Sequence, residues 1–179
     1  MRWKPICAGL ARLSADARGL LTVENDEVSF DLDSLLPLMD DVPVVLDLHH
    51  EWLSSGGRYI QPDDPRIAQV AASWRGVRPV SHISVSREDL LPGHAPDALP
   101  DYAALVGAGH SPHKLRAHSD TMWNAAVNDW AAGHLAWTDI EVEAKLKNVA
   151  SLQLAERVRA GGQLPAPFPS GRGGSKVIP

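Results

Sequence analysis

The segment PVVLDLHH, residues 43–50, is the most informative part of the chain. Val44, Val45 and Leu46 form a β-branched, apolar run that reads as a strand over residues 43–48. Asp47 closes that run, and His50 follows three positions later. To either side, strand-like and helix-like segments alternate. Residues 20–24 (LLTVE) read as a buried strand, 78–84 (RPVSHIS) as another, and 138–143 (TDIEVE) as a fourth. Helical patterns occupy residues 8–18, 33–39, 64–74, 122–132 and 146–160. Asp31 or Asp33 suits the N-cap of the second, and Pro65 stands at the first helical position of the third. Residues 54–62 form a glycine-containing loop, and 85–117 a long stretch rich in Pro, Gly and His.

Strands alternating with helices indicate parallel βαβ units. Four are legible, whereas a complete eight-stranded barrel takes about 250 residues. The expected fold is α/β: a partial, TIM-barrel-like (β/α) domain over residues 1–160, followed by a disordered Gly/Pro-rich tail over 161–179.

The chain has 179 residues, a one-domain length, with 44% hydrophobic and 22% charged residues. No run approaches the roughly 18 apolar residues of a membrane helix. The N-terminal segment has no long apolar stretch, so no signal peptide is expected. The single Cys7 excludes an internal disulfide framework and fits a reducing compartment, so the cytoplasm is the expected location. A net charge of −5 and a pI near 5.9 argue against holding DNA by bulk positive charge. Carboxylates gathered around divalent cations lower the net charge while leaving a site attractive to phosphate.

Acidic and histidine residues recur at the C-terminal ends of the strands. Glu24 ends the first; Asp47, with His50, ends the second; His82 lies in the third; Glu143 ends the fourth. His118-Ser119-Asp120 follows the long stretch. Functional groups of parallel α/β proteins gather at this end of the sheet. Converging carboxylates and imidazoles are what a group of divalent metals requires. With a period of two, Thr22 and Glu24 share a face, as do Val45 and Asp47, His82 and Ser84, and Glu141 and Glu143. Leu21, Val23, Val44, Leu46, Ile140 and Val142 take the opposite face, toward helices. Singly, each residue has a plainer reading. A strand-end carboxylate is commonly a turn former or helix cap, and His94, His110, His113 and His134 read as loop or surface residues. His49 reads as structural, because His50 has the better ligand spacing. Taken together, the pattern points to metal binding.

LTVEND (21–26), PVVLDLHH (43–50), SHIS (81–84), AHSD (117–120) and DIEVEAKLK (139–147) resemble, in this order, motifs of the UV damage endonuclease family. The resemblance covers residues 10–150 and the C-terminal half of that family's barrel. It implies a (β/α) barrel related to apurinic-site endonucleases and sugar isomerases. It also implies DNA repair by nicking damaged double-stranded DNA on the 5′ side of ultraviolet photoproducts, with a cluster of divalent metals. Manganese is the expected metal, magnesium and zinc the other choices. Glu24 resembles the carboxylate that bridges two metals, and Asp47, His82 and Glu143 the remaining ligands of one of them. These four are the implied catalytic set. His50 and His118 resemble ligands of a further metal, with Asp120 standing behind them. Lys145 is the implied phosphate contact. Apart from the resemblance, Trp52, two residues after His50, is the tryptophan best placed to stack on a DNA base, the others reading as core or helix packing. Hydroxide formed from a metal-bound water would attack the phosphodiester, so no protein nucleophile is needed.

The chain departs from the family in several places. Nothing corresponds to the family's N-terminal half, with its additional histidine ligands and lesion-probing residues, and residue 1 falls shortly before the fifth barrel strand. Val80 stands where the family has a lysine. Glu141 replaces an apolar residue and would point into the barrel, costly there unless paired or hydrated. Residues 87–116 exceed the family's connection. A half barrel leaves its first and fourth strands as open edges. Self-association, pairing with a separately encoded N-terminal half, or poor stability is therefore expected. Two alternatives stand beside the endonuclease: a non-catalytic metal-binding remnant needing an N-terminal half, and a sugar isomerase or epimerase-like barrel. The DLHH and EAKLK segments fit the nuclease better than the isomerase.

Overall fold

A computed structural model of the chain describes residues 4–161. The expected tail lies outside these residues, Gly161 excepted. The strands β1 (Val23–Glu24), β2 (Val44–Asp47), β3 (Val80–Ile83) and β4 (Asp139–Val142) form one parallel sheet in the order β1-β2-β3-β4. Each lies beside its neighbour in sequence, with helices in the connections, as expected for a partial β/α barrel. Among the described residues, the outer edges of β1 and β4 have no strand partner.

Two local differences from the sequence expectations have direct causes. The first strand shrinks to Val23–Glu24, because register sets Val23 opposite Val44 and so Thr22 opposite Pro43, which has no N–H for the ladder. Leu20 is left almost fully exposed. The helix expected over 8–18 is two helices, α1 (Lys4–Leu10) and α2 (Ala15–Gly19); Ser14 divides them by capping the second, its side chain accepting from Ala17 N at 3.2 Å.

The remaining helices follow the reading more closely. α3 (Leu32–Leu35) is capped by Asp31 and tightens into a 3₁₀ turn at Leu36–Leu38 around Pro37. α4 (Leu48–Ser54) follows β2 without a loop, and α5 (Pro65–Ser73) opens at the Asp64 cap. The long stretch 85–117 is ordered, with short helices α6 (Tyr102–Gly107) and α7 (Pro112–Leu115). α8 (Ala125–Ala132) starts late because Asn124 caps it, and α9 (Asn148–Ala160) ends the described chain.

The main core joins Val44, Leu46 and Ile83 of the sheet to Leu32, Leu38, Ile67, Val70, Val127, Ala150 and Leu154 of the helices. A second, smaller cluster of Trp52, Leu53 and Leu115, joined by Tyr59, Tyr102 and Leu105, fastens the long stretch to α4. Gly57 permits this approach. Its φ is +99°, and a Cβ there would overlap Cβ of Tyr102. No helix among the described residues is long and apolar enough to cross a membrane.

Candidate metal centre

The site is assembled from the C-terminal ends of all four strands. Asp47 is the last residue of β2, opposite His82 of β3, which is itself opposite Glu141 of β4. Glu24 ends β1, and Glu143 lies just beyond β4. Glu24, Asp47, His82 and Glu143 each bring one ligand atom to a common place, all within 4.8 Å of one another. His82 Nδ1 donates to Glu24 Oε1 at 3.0 Å and lies 3.6 Å from Glu143 Oε1. Its Nε2 is 3.6 Å from Glu141 Oε2. The His82 hydrogen bond lowers the Glu24 carboxyl below its ordinary value, and the same bond raises the imidazole above its own.

Asp47 is completely buried. Its Oδ1 accepts from His50 N at 2.7 Å, capping α4, while Oδ2 has no hydrogen-bond partner. Burial raises this carboxyl above the usual range, against the opposing pull of His50. A buried carboxylate oxygen that no donor meets calls for a positive partner. With Asp47, the carboxylates of Glu24 and Glu143 and the imidazole of His82 form a donor set of three carboxylates and one imidazole, suited to a divalent cation such as manganese, magnesium or zinc. On these two grounds the residues fit a metal.

The two further histidines also reach this rim. His50 Nδ1 is 3.9 Å from Asp47 Oδ2, and His118 Nε2 is 3.9 Å from Glu143 Oε2. The rings of His50 and His118 are 6.2 Å apart. An isolated bridge between Ser86 and His118 and the Ser119 N–H to Val85 carbonyl bond return the chain to the sheet after the long stretch. Glu27 Oε1 accepts from Arg116 at 2.6 Å, while its Oε2 lies 3.7 Å from His50 Nε2.

Other expectations are modified. Trp52, expected as a DNA contact, is buried, stacked on His49 at 5.7 Å and edge-on to Tyr102. Tyr102, from the long stretch, is what covers it. Lys145 is exposed, its ammonium 3.0 Å from Asp120. Asp120 thus pairs with a lysine where a place behind the histidine ligands was expected. Glu141 is exposed to water, which removes the burial cost foreseen for it. His49 is structural: its Nε2 faces the Leu115 carbonyl at 3.2 Å, and burial pulls its imidazole down to about 3. His134, expected at the surface, is fully buried between the Ile60 carbonyl and the Trp137 indole. The sequence reading passed over Asn25, Glu27 and Arg116. The available signal was the place of Asn25 in the LTVEND segment, next to Glu24.

The chain matches the family described as UV-endonuclease UvdE over residues 6–165. It is 30% identical over 152 residues to a UV-damage endonuclease of Schizosaccharomyces pombe, covering 82% of this chain and 21% of that protein. To a UV-damage endonuclease of Neurospora crassa it is 30% identical over 84 residues, covering 41% of this chain and 13% of the relative. The crystal structure of SacUVDE is similar in fold, with a TM-score of 0.61 at 18% identity, over 88% of this chain and 45% of that one. The chain therefore spans about a fifth of the length of the Schizosaccharomyces relative and under half of the solved chain.

Proposed function

This chain belongs to the UV-endonuclease UvdE family, and from that premise we propose that it is a metal-dependent DNA-repair endonuclease acting on damaged double-stranded DNA, which it nicks 5′ to ultraviolet photoproducts. The observation that carries the reading is the gathering of Glu24, Asp47, His82 and Glu143 within 4.8 Å, with Oδ2 of the fully buried Asp47 left without a hydrogen-bond partner. Glu24, Asp47, His82 and Glu143 would hold a divalent cation, with manganese the proposed metal, and His50 and His118 would serve a further one. Bound there, the metal supplies Lewis-acid charge and a water that ionises near neutral pH.

The protein's own residues then position and balance charge. Glu24 and Glu143 face His82 and keep its ring oriented across the cleft. Lys145 stands on the rim, where its ammonium could leave Asp120 for a DNA phosphate. The open edges of β1 and β4 favour assembly with further barrel strands, from a second copy or a separate N-terminal half. Those same edges support the alternative of a metal-binding remnant that does not cut DNA without a partner half.

The test is incubation of the purified chain and manganese with ultraviolet-irradiated supercoiled plasmid, beside unirradiated plasmid and a Glu24→Gln control. Nicking confined to irradiated plasmid and absent in the control supports the endonuclease. A folded, manganese-binding chain that leaves both plasmids intact supports the remnant. Light scattering on the same sample reads the assembly.

A further inference from the structure

Asn25 is fully buried between the donors of the centre. Its carboxamide makes both backbone bonds of one distant residue: Oδ1 accepts from Asp47 N at 2.8 Å, and Nδ2 donates to Asp47 O at 3.0 Å. The β1–β2 ladder has ended by then, because the chain turns away at Asp26, whose N–H bonds the Phe30 carbonyl. The carboxamide thus takes the place of a missing strand peptide beside Asp47. The main-chain carbonyl of Asn25 faces His50 Nδ1 at 3.2 Å. With Nδ1–H donating to that carbonyl, the neutral ring keeps a free lone pair on Nε2. Glu24 is the preceding residue. One side chain and its own peptide therefore tie Glu24, at the end of β1, to Asp47 and His50, at the junction of β2 and α4.

We infer that Asn25 is a positioning residue of the centre, fixing the backbone of Asp47 and the ring of His50 and thereby the direction in which both donors point. The inference rests on the metal reading above. No other uncharged side chain of this size offers a donor and an acceptor at one reach. Aspartate keeps the acceptor for the Asp47 N–H but sets an oxygen against the Asp47 carbonyl. Alanine removes both of these bonds to the Asp47 backbone. Groups that orient metal ligands from behind typically govern affinity by about 10- to 100-fold.

The test is isothermal titration of manganese into the unsubstituted protein, Asn25→Ala, Asn25→Asp and Asn128→Ala, each with a thermal melt. Asn128 is also buried, but its amide bonds the Met122 carbonyl, away from the donors. Asn25→Ala should weaken manganese binding by about 10- to 100-fold and Asn25→Asp by less. Asn128→Ala should leave it within about twofold despite lowering the melting temperature. Manganese affinity unchanged in Asn25→Ala overturns the positioning role alone. An unsubstituted protein that binds no manganese overturns the metal reading and this inference with it. Nitrogen chemical shifts of the metal-free, unsubstituted protein at about pH 9 give a readout free of any folding defect. Protonation of His50 at Nδ1 supports the inference, and protonation at Nε2 overturns it.

Discussion

Nδ1 of His82 donates to Oε1 of Glu24 at 3.0 Å, joining β3 to β1 across the intervening strand. The bond lowers the carboxyl below its ordinary 4.5 and raises the imidazole above its ordinary 6.5. Glu24 therefore contributes stability above 4.5 and loses it as pH falls through its lowered folded value. His82 contributes below 6.5 and loses it as pH rises through its raised folded value, with Glu143, Glu141 and Asp47 also facing its ring. In metal-free protein, the melting-temperature difference between the parent and Glu24→Gln should be largest between 4.5 and 6.5 and shrink on either side. Calorimetry across that range checks it. A difference that keeps growing toward pH 8 would contradict the pairing.

Asp47→Asn separates the metal's contribution from the fold's. Asparagine keeps an oxygen for the His50 N–H and removes a carboxylate that burial disfavours. The metal-free variant should melt no lower than the parent. Manganese at 100 times its dissociation constant should stabilise the parent by about 2.7 kcal/mol and leave the variant unchanged. Paired melts with and without manganese decide the matter.

Trp52→Ala should cost about 3–5 kcal/mol of stability, because the indole fills the junction between α4 and the 85–117 stretch. Urea denaturation measures the loss. Reduced DNA affinity with unchanged stability would restore Trp52 as a contact residue.

Gly57→Ala should destabilise by more than about 1 kcal/mol, since alanine is strained at positive φ and its methyl meets Tyr102. Proteolysis should show cleavage appearing first within residues 85–117. Equal protection of that stretch in parent and variant would mean that the close approach is not needed.

Lys145→Ala should change stability by less than about 1 kcal/mol, because both members of the Lys145–Asp120 pair are exposed. Binding to irradiated duplex should weaken, with a salt dependence shallower by about one ion. An unaltered salt slope would place Lys145 outside the DNA interface.

The sheet was legible because Val44–Leu46 is an unbroken apolar run and because strands alternate with helices along the chain. The gathering of Glu24, Asp47, His82 and Glu143 was legible because each lies at or near the C-terminal end of its strand, a place sequence can mark. Contacts made by chain return were not. The Arg116–Glu27 bond spans 89 positions, and nothing local in RAHSD foretells it. Tyr102 lies in a stretch whose Pro and Gly content suggested an open loop, yet it covers Trp52. The early end of β1 was written in Pro43, on a different strand, and could be seen only once register was known.

The two oxygens of Asp47 face different masters. One starts α4 by accepting the His50 N–H, and the other is buried without a hydrogen-bond partner. Rotating the carboxylate to suit a cation of another size would release the first turn of that helix. The start of α4 and the setting of the unpartnered oxygen are thus fixed by one carboxylate. Amide exchange at His50 consequently acts as a strain gauge for whatever the centre holds.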